Sequence, residues 1–310
     1  MYRRMLVLLD GSELAEVVFP FATELAARLG LEVILLQVYG PLGRDFVPIH
    51  RAYVERSAET IRHQVEDLQE RLGIQPGAKP VEIRGELADG HYADEILRLA
   101  DEQDIDLILM ASHGRSGIRR WQMGSVADKV LRASKIPVLF IRAGVEDAIP
   151  YDKWPTRTLL VPLDGSDRAE TVLPHVEALA RQHAIEPVTV TLIRVCDPPI
   201  APSYYSPELS GVPLNWGEFM EQEMTRCKHA ATEYLTGITR RLEDQGVKVE
   251  SEVLVGKAAD EIIDYAGKNP FSILILSTHG RSGLSRLVYG SVAESILLAV
   301  SNPILLTKPK

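Results

Sequence analysis

The sequence is short of three features that would each mark a class of protein. Its two cysteines, Cys196 and Cys227, form neither a CxxC pair nor a zinc pattern, so we expect reduced thiols in a cytoplasmic protein. Lys and Arg number 34 against 43 Asp and Glu, a net charge of −9, which disfavours a nucleic-acid binder because such proteins normally need a basic face. No apolar run approaches a membrane span, and the first one stops at Asp10, too short for a signal-peptide core. We therefore expect no nucleic-acid and no membrane partner.

Motifs for common catalytic and cofactor sites are also missing. The chain contains neither a G-x-x-x-x-G-K-[ST] loop nor a G-x-G-x-x-G fingerprint. It has no HExxH or comparable metal cluster, and His113 and His279 each stand alone, with no nucleophile placed to form a triad. We predict no catalytic residue and no metal site.

The chain is instead a duplication. The openings "MLVLLDGSELAE" and "LLVPLDGSDRAE" match, and so do the later loops "SHGRSGIRRWQMGS" and "THGRSGLSRLVYGS". The repeat predicts two domains, 1–143 and 157–310, joined by a polar, proline-containing surface linker at 144–156. The second copy is longer because of an insertion at 197–217, whose adjacent tyrosines favour a contact surface over a lid or an ordered loop.

Each copy alternates short apolar runs with longer amphipathic stretches. This pattern predicts an α/β fold of two tandem doubly wound domains, each a five-stranded parallel sheet flanked by helices. Ligands bind such sheets beyond the carboxyl ends of the strands, where Asp10, Val38 and the 112–125 loop should converge. The last strands, in "PVLFIR" and "PILLTK", are apolar edges. We expect them to pair with each other in a pseudo-two-fold unit, and further dimerisation stays open.

The repeated loop ends in Gly124-Ser125 and Gly290-Ser291, and two interpretations fit. In the first, serine caps the next helix, since Ser125 with Asp128 and Ser291 with Glu294 have the spacing of a capping box. In the second, a helix N-terminus preceded by glycine offers backbone N–H groups to an anion. Repetition of the loop at the expected crevice favours a nucleotide.

These paired motifs resemble the universal stress protein family, in its tandem form, over nearly the whole chain. The resemblance implies an adenine nucleotide alpha hydrolase-like fold and a role in the stress response. It also implies ATP binding through G-x2-G-x9-G-[ST], with ATP as the cofactor and Mg²⁺ as its optional companion. The matching positions here are Ala111, Gly114, Gly124 and Ser125 in the first copy, and Ser277, Gly280, Gly290 and Ser291 in the second. The first motif glycine is thus Ala in one copy and Ser in the other, which brings a Cβ to the place where the ribose would approach.

The same resemblance implies roles for further residues. Asp10 and Asp164 would lie beside adenine and ribose, although an aspartate before Gly-Ser also suits a structural turn. The backbones of Val38 and Val195 would meet the adenine edge. Amides of Val126 and Val292 would contact phosphates. Pro162, whose counterpart is Leu8, favours the second copy.

Three functions follow as hypotheses. The first is a regulatory module that binds ATP in one or both crevices, with at most slow ATP hydrolysis. Binding changes its shape or its protein partner, which could be a second copy. The second is an interaction scaffold whose nucleotide site has been lost. The third is a nucleotidyl transferase-type enzyme, disfavoured because the paired histidines or lysine-rich loop of such enzymes are missing.

Overall fold

The computed structural model describes residues 2–74, 81–112, 123–145, 149–181, 188–198, 216–278 and 289–309. The strands and helices of the first half are β1 (Arg4–Leu9), α1 (Phe19–Leu29), β2 (Glu32–Tyr39), α2 (Val47–Arg71), β3 (Ile83–Asp89), α3 (Tyr92–Glu102), β4 (Leu107–Ala111), α4 (Ser125–Ala133) and β5 (Val138–Ile141). Short 3-10 segments cover Glu16–Val18 and Pro41–Phe46. Gly30 ends α1 in the left-handed conformation, at φ 66°, which is typical of a glycine at the end of a helix.

The second half repeats this order after a 3-10 turn at Tyr151–Lys153. Its elements are β6 (Thr158–Pro162), α5 (Asp167–Glu170), α6 (Leu173–Ala180), β7 (Thr189–Cys196), α7 (Trp216–Glu243), β8 (Lys248–Val255), α8 (Ala258–Lys268), β9 (Ser272–Ser277), α9 (Ser291–Ala299) and β10 (Ile304–Thr307). Helix α7 begins with turns that have no helical counterpart in the first half, where the 3-10 segment Pro41–Phe46 precedes α2.

All ten strands form one sheet, in the order β3-β2-β1-β4-β5-β10-β9-β6-β7-β8. Within each half the five strands are parallel, which confirms the predicted α/β class. The halves meet where β5 and β10 pair antiparallel, with Leu139 opposite Leu305. The predicted pairing of the two apolar edges is therefore confirmed, and it removes an edge that would otherwise be free to aggregate.

The inner strands of the sheet are buried on both faces, whereas the edge strand β8 is largely exposed. Met5, Val7 and Leu9 of β1 pack on the side of α1 and α2, whereas Leu6 and Leu8 pack on the side of α3 and α4. This two-sided burial is why the strands read as continuous apolar runs. Both core layers contain residues of both halves, so the core is continuous across the junction.

The segment between the halves is not a surface linker throughout. Tyr151 is 2% exposed and Trp154 is 9% exposed, and the Tyr151 ring stacks on Phe21 with ring centroids 4.5 Å apart. The expectation of a surface segment is wrong for these two residues, because large aromatic side chains in a polar stretch gain free energy by filling the seam between two domains.

Two cations cap helices across the junction in a pseudo-two-fold arrangement. Arg142 follows β5 and donates to the carbonyls of Leu297 (2.6 Å) and Val300 (3.2 Å) at the end of α9. Its repeat counterpart Lys308 follows β10 and donates to the carbonyl of Arg132, near the end of α4, at 2.5 Å. Each half thus supplies a positive group to the negative end of a helix in the other.

The two cysteines are paired. Cys196 ends β7, Cys227 lies on α7, and the two form a disulfide with Cα atoms 6.0 Å apart. The expectation of reduced thiols is wrong, because a spacing of 31 residues gives no hint that the end of the strand and the helix pack side by side. Within the described ranges, no helix is both long and apolar enough to cross a membrane.

Candidate functional site

A cavity of about 790 Å³ opens in the first half at the carboxyl ends of β1, β2 and β4. Its size is typical of small-molecule sites. The sheet order reverses direction at β1, whose neighbours are β2 on one side and β4 on the other, so the cavity lies at the topological switch point. Six of the residues predicted from the sequence line it: Asp10, Val38, Ala111, Gly124, Ser125 and Val126.

Asp10 holds the turn that leaves β1. Its Oδ1 accepts from the Ser12 amide at 3.0 Å and from the Ser12 hydroxyl at 2.6 Å, and the Ser12 hydroxyl accepts from the Ala15 amide at 3.3 Å. The structural role foreseen for this aspartate is confirmed. Asp10 is only partly buried and lines the cavity, so ligand contact stays a prediction alongside the turn.

The helix after the repeated loop starts at Ser125, and its N-cap is Gly124. In the second half α9 starts at Ser291, and its N-cap is Gly290. The interpretation of serine as the capping residue is wrong, since each serine is the first helical residue and each N-cap residue has no side chain. The first amides of α4 therefore meet the cavity without a capping side chain on Gly124, which is the arrangement that favours an anion.

The base of the loop is tied together beside this helix. The Gly124 amide donates to the Ser112 carbonyl at 3.1 Å, and the Ser112 amide donates to Ile141 at 2.8 Å. A Cβ on residue 124 would lie 3.3 Å from the Ser112 carbonyl oxygen, closer than most real contacts. The Gly124 amide is thus used by the fold, and the amides that follow it in α4 are the donors that face the cavity.

Part of the predicted site lies outside the described residues. This holds for Gly114, Gly280, the two loop histidines His113 and His279, and most of the 197–217 insertion.

Several cavity residues were missed by the sequence reading. Gln37 is 2% exposed, and its Nε2 lies 3.0 Å from Nδ1 of His50. Tyr53 donates to Glu16 at 3.0 Å, and its burial, followed by this hydrogen bond, raises the pKa of the phenol. Strand alternation could have assigned Gln37 to the α2 face, but nothing in the sequence indicates that α2 places His50 and Tyr53 opposite it.

The mouth of the cavity is apolar. Its lining includes four exposed large hydrophobic side chains, Leu42, Phe46, Ile49 and Tyr92, which are 49–95% exposed. Exposed apolar side chains gathered at one cavity form an apolar rim, which is typical of a binding site rather than of inert surface.

The second half reproduces the frame of the site. Oδ1 of Asp164 accepts from the Ser166 amide at 3.0 Å and from its hydroxyl at 2.6 Å, the same distances as in the first half. Tyr234 donates to Glu170 at 3.1 Å, as Tyr53 does to Glu16.

The remaining predicted residues of the second half occupy equivalent positions. Pro162 and Ser277 end their strands, Val195 lies one residue before the end of β7, and Val292 is the second residue of α9 and 37% exposed. The Gly290 amide donates to Thr278 at 2.7 Å, so this loop is tied at its base as well.

The wall beside β7 differs from the wall beside β2. Strand register places Arg194 where the first half has Gln37. The Arg194 guanidinium donates to the Leu163 carbonyl at 3.1 Å and lies over the Tyr234 ring, 5.8 Å from its centroid.

The fit of the implied cofactor can be judged from these residues. A helix N-terminus behind glycine, a carboxylate at the end of β1 and an apolar mouth suit the phosphates, ribose and base of a nucleotide. Among the residues that the structure describes, no group of three or more His, Cys, Asp or Glu side chains could hold a metal ion.

Comparison with known proteins agrees with this architecture. The family model described as the Universal stress protein family matches residues 1–142 and 155–308. Universal stress protein MJ0577 of Methanocaldococcus jannaschii is 30% identical over 158 residues, covering 50% of this chain and 96% of the relative. A universal stress protein of Mycolicibacterium smegmatis is 22% identical over 311 residues, covering 99% and 97%.

A solved structure extends the likeness in fold to both halves. The universal stress protein from Archaeoglobus fulgidus DSM 4304 has a TM-score of 0.61 at 18% identity, with 98% of each chain covered. With a family model matched twice in tandem, the chain belongs to the Universal stress protein family.

Proposed function

We propose that this protein is a stress-response regulatory module that binds ATP in the crevice of its first half. The observation that carries the proposal is the cavity itself, which brings Asp10, Val38 and the N-terminus of α4 to one place. In the proposed complex the triphosphate lies over the first amides of α4, where the helix dipole and unpaired N–H groups stabilise negative charge. The adenosine end then lies towards Asp10 and Val38.

The bound state acts through shape or partner binding rather than through turnover. Phosphoryl transfer needs a group that positions or activates the nucleophile, and we propose no residue of this chain for that role. Because the apolar rim surrounds the mouth of the same cavity, a bound nucleotide would alter the surface that a protein partner meets. The cytoplasm stays the proposed location.

We propose weaker binding in the second crevice. Its frame is the same, but Arg194 replaces an uncharged amide and Cys196 is bonded to α7. Ala111 and Ser277 each replace the first glycine of the family motif and bring a Cβ to their crevice. Because both crevices have this replacement, it does not explain a difference in affinity between them.

The test is calorimetric titration of the nucleotide-stripped protein with ATP, using Gly124→Val and Gly290→Val as single variants. We expect Gly124→Val to remove the stronger binding event, because its side chain fills the space over α4 and presses on the Ser112 carbonyl. Gly290→Val should leave that event intact. Circular dichroism shows whether each variant is folded. No heat and no thermal shift at saturating ATP in the wild type would contradict the proposal and favour an interaction scaffold.

A further inference from the structure

The first fourteen residues of α7 whose side chains are described, 217–230, are half-buried or exposed. From 217 to 230 no side chain is buried, and the first buried residue is Ala231. In α2, by contrast, His50 and Val54 are already buried within the first turns. Burial of apolar surface is what normally holds a helix in place, so the start of α7 needs another source of attachment.

The disulfide supplies that attachment. Cys227 lies in this segment and is only partly exposed, whereas Cys196 is fully buried at the end of β7. The bond therefore fixes the start of α7 to the buried carboxyl end of β7. Because the bond joins residues 31 apart in the sequence, it limits how far this segment can separate from β7.

The position of the bond relates it to the second crevice. Tyr53 and Tyr234 make equivalent bonds to Glu16 and Glu170, and this alignment of α2 with α7 places Cys227 at the position of Phe46. Strand register places Cys196 at the position of Tyr39. Tyr39 and Phe46 both line the first cavity, so the disulfide spans the place where the first half has its open mouth.

We propose that Cys196–Cys227 is a redox-sensitive tether that holds the start of α7 over the second crevice, and that a dithiol reductant releases it and opens that crevice. A thiolate of the dithiol attacks Sγ of the more exposed Cys227, which breaks the Sγ–Sγ bond and releases Cys196 as a thiolate that takes up a proton. The second thiol of the reductant then displaces the Cys227 sulfur, which is protonated in turn. The products are two protein thiols and a cyclic disulfide, a two-electron exchange.

The release itself does not depend on nucleotide binding, and it can be measured by hydrogen exchange with mass spectrometry on the nucleotide-free full chain. With dithiothreitol we expect amides in peptides from 217–230 to exchange at least about tenfold faster, because local opening then competes only with weak contacts. Cys227→Ser should exchange fast with or without the reductant. His229→Ser, a change at an exposed residue on the same segment, should behave as the wild type. Exchange in the wild type that is unaffected by dithiothreitol would overturn the tether.

The consequence for the second crevice rests on the proposed function and has its own readout. The measurement uses the Gly124→Val background, which is designed to close the first crevice. In this background dithiothreitol or Cys227→Ser should tighten ATP binding by on the order of tenfold. The reason is that the disulfide keeps most molecules in the closed form of the second crevice, and the apparent affinity falls with the fraction of molecules that is open. Unchanged affinity with faster exchange would overturn control of the crevice and leave the tether. If no form of the protein binds ATP, the proposed function is refuted, and so is the proposed control of ATP binding by the disulfide. The hydrogen-exchange result still decides whether the tether exists.

Discussion

The two crevices share a frame and differ in one wall. Both aspartates hold a Ser hydroxyl at 2.6 Å, and both helix starts follow a glycine N-cap. The wall formed by the second strand and its following helix is different, because Gln37 and His50 correspond to Arg194 and Ala231. The turn and the helix start have thus been kept in both copies, while side chains of this one wall have changed.

The difference shows which parts of a duplicated domain are fixed by folding. The turn after the first strand and the start of the last helix are held by backbone hydrogen bonds in both halves, so they tolerate little change. The side wall is built by side chains from the second strand and the following helix, and the two helices differ there, since α2 begins at Val47 with buried residues from His50 onward whereas α7 has none before Ala231. The two halves can therefore take different roles without losing the common sheet.

The largest difference between the halves in buried charge is at Glu24. Its carboxylate pairs with Arg28 at 2.5 Å and with Arg157 at 3.3 Å, all three side chains being at most 8% exposed. The repeat counterpart of Glu24 is Ala178. We expect Glu24→Ala to lower the free energy of unfolding by about 3 to 5 kcal/mol, since it leaves two buried guanidinium groups without this carboxylate.

Urea denaturation followed by circular dichroism measures that loss. Glu177→Ala in α6 removes a carboxylate that is not buried and should change the stability by no more than about 0.5 kcal/mol. A loss below about 1 kcal/mol in Glu24→Ala would show that the charge cluster is not a special feature of the first half.

The cross-junction caps give a second, smaller contrast. Arg142 reaches two carbonyls of the second half, whereas Lys308 reaches one carbonyl of the first, and burial lowers the pKa of both groups. We expect Arg142→Ala to lower the free energy of unfolding by about 2 kcal/mol and Lys308→Ala by about 1 kcal/mol. The loss is larger for Arg142 because that side chain donates to two carbonyls and Lys308 to one. Thermal and urea unfolding of both variants measures the difference. Equal losses would mean that the two caps are energetically symmetric despite their different contacts.

Much of the fold follows from the sequence because it depends on short-range patterns. The apolar runs predicted the strands, and two apolar last strands predicted the β5–β10 junction, since each would otherwise leave an edge unpaired. The aspartate turns were also foreseen, because Asp-Gly-Ser forms its bonds within three residues.

What the sequence could not show depends on long-range packing. Whether Ser125 or Gly124 caps α4 is decided by where the loop returns to Ser112. The pairing of Cys196 with Cys227 depends on how far α7 extends, and the burial of Tyr151 depends on a seam that exists only when both halves are folded. In each case the local residues allow two outcomes, and contacts from distant parts of the chain select one.

The smallest expected effect tests the part that the halves share. Tyr53 and Tyr234 donate to Glu16 and Glu170 at nearly equal distances, and burial raises the pKa of both phenols, so both stay protonated donors throughout the neutral pH range. Tyr53→Phe and Tyr234→Phe should each lower the free energy of unfolding by about 1 kcal/mol, the net value of a typical intramolecular hydrogen bond. Tyr92→Phe, at a side chain 49% exposed, serves as the control and should have almost no effect in the same urea titration. Each variant keeps its aromatic ring, so the cation–π contact of Arg194 persists in Tyr234→Phe. If the losses of unfolding free energy in the two variants differ by more than about 0.5 kcal/mol, the changed wall beside β7 has altered the shared frame as well.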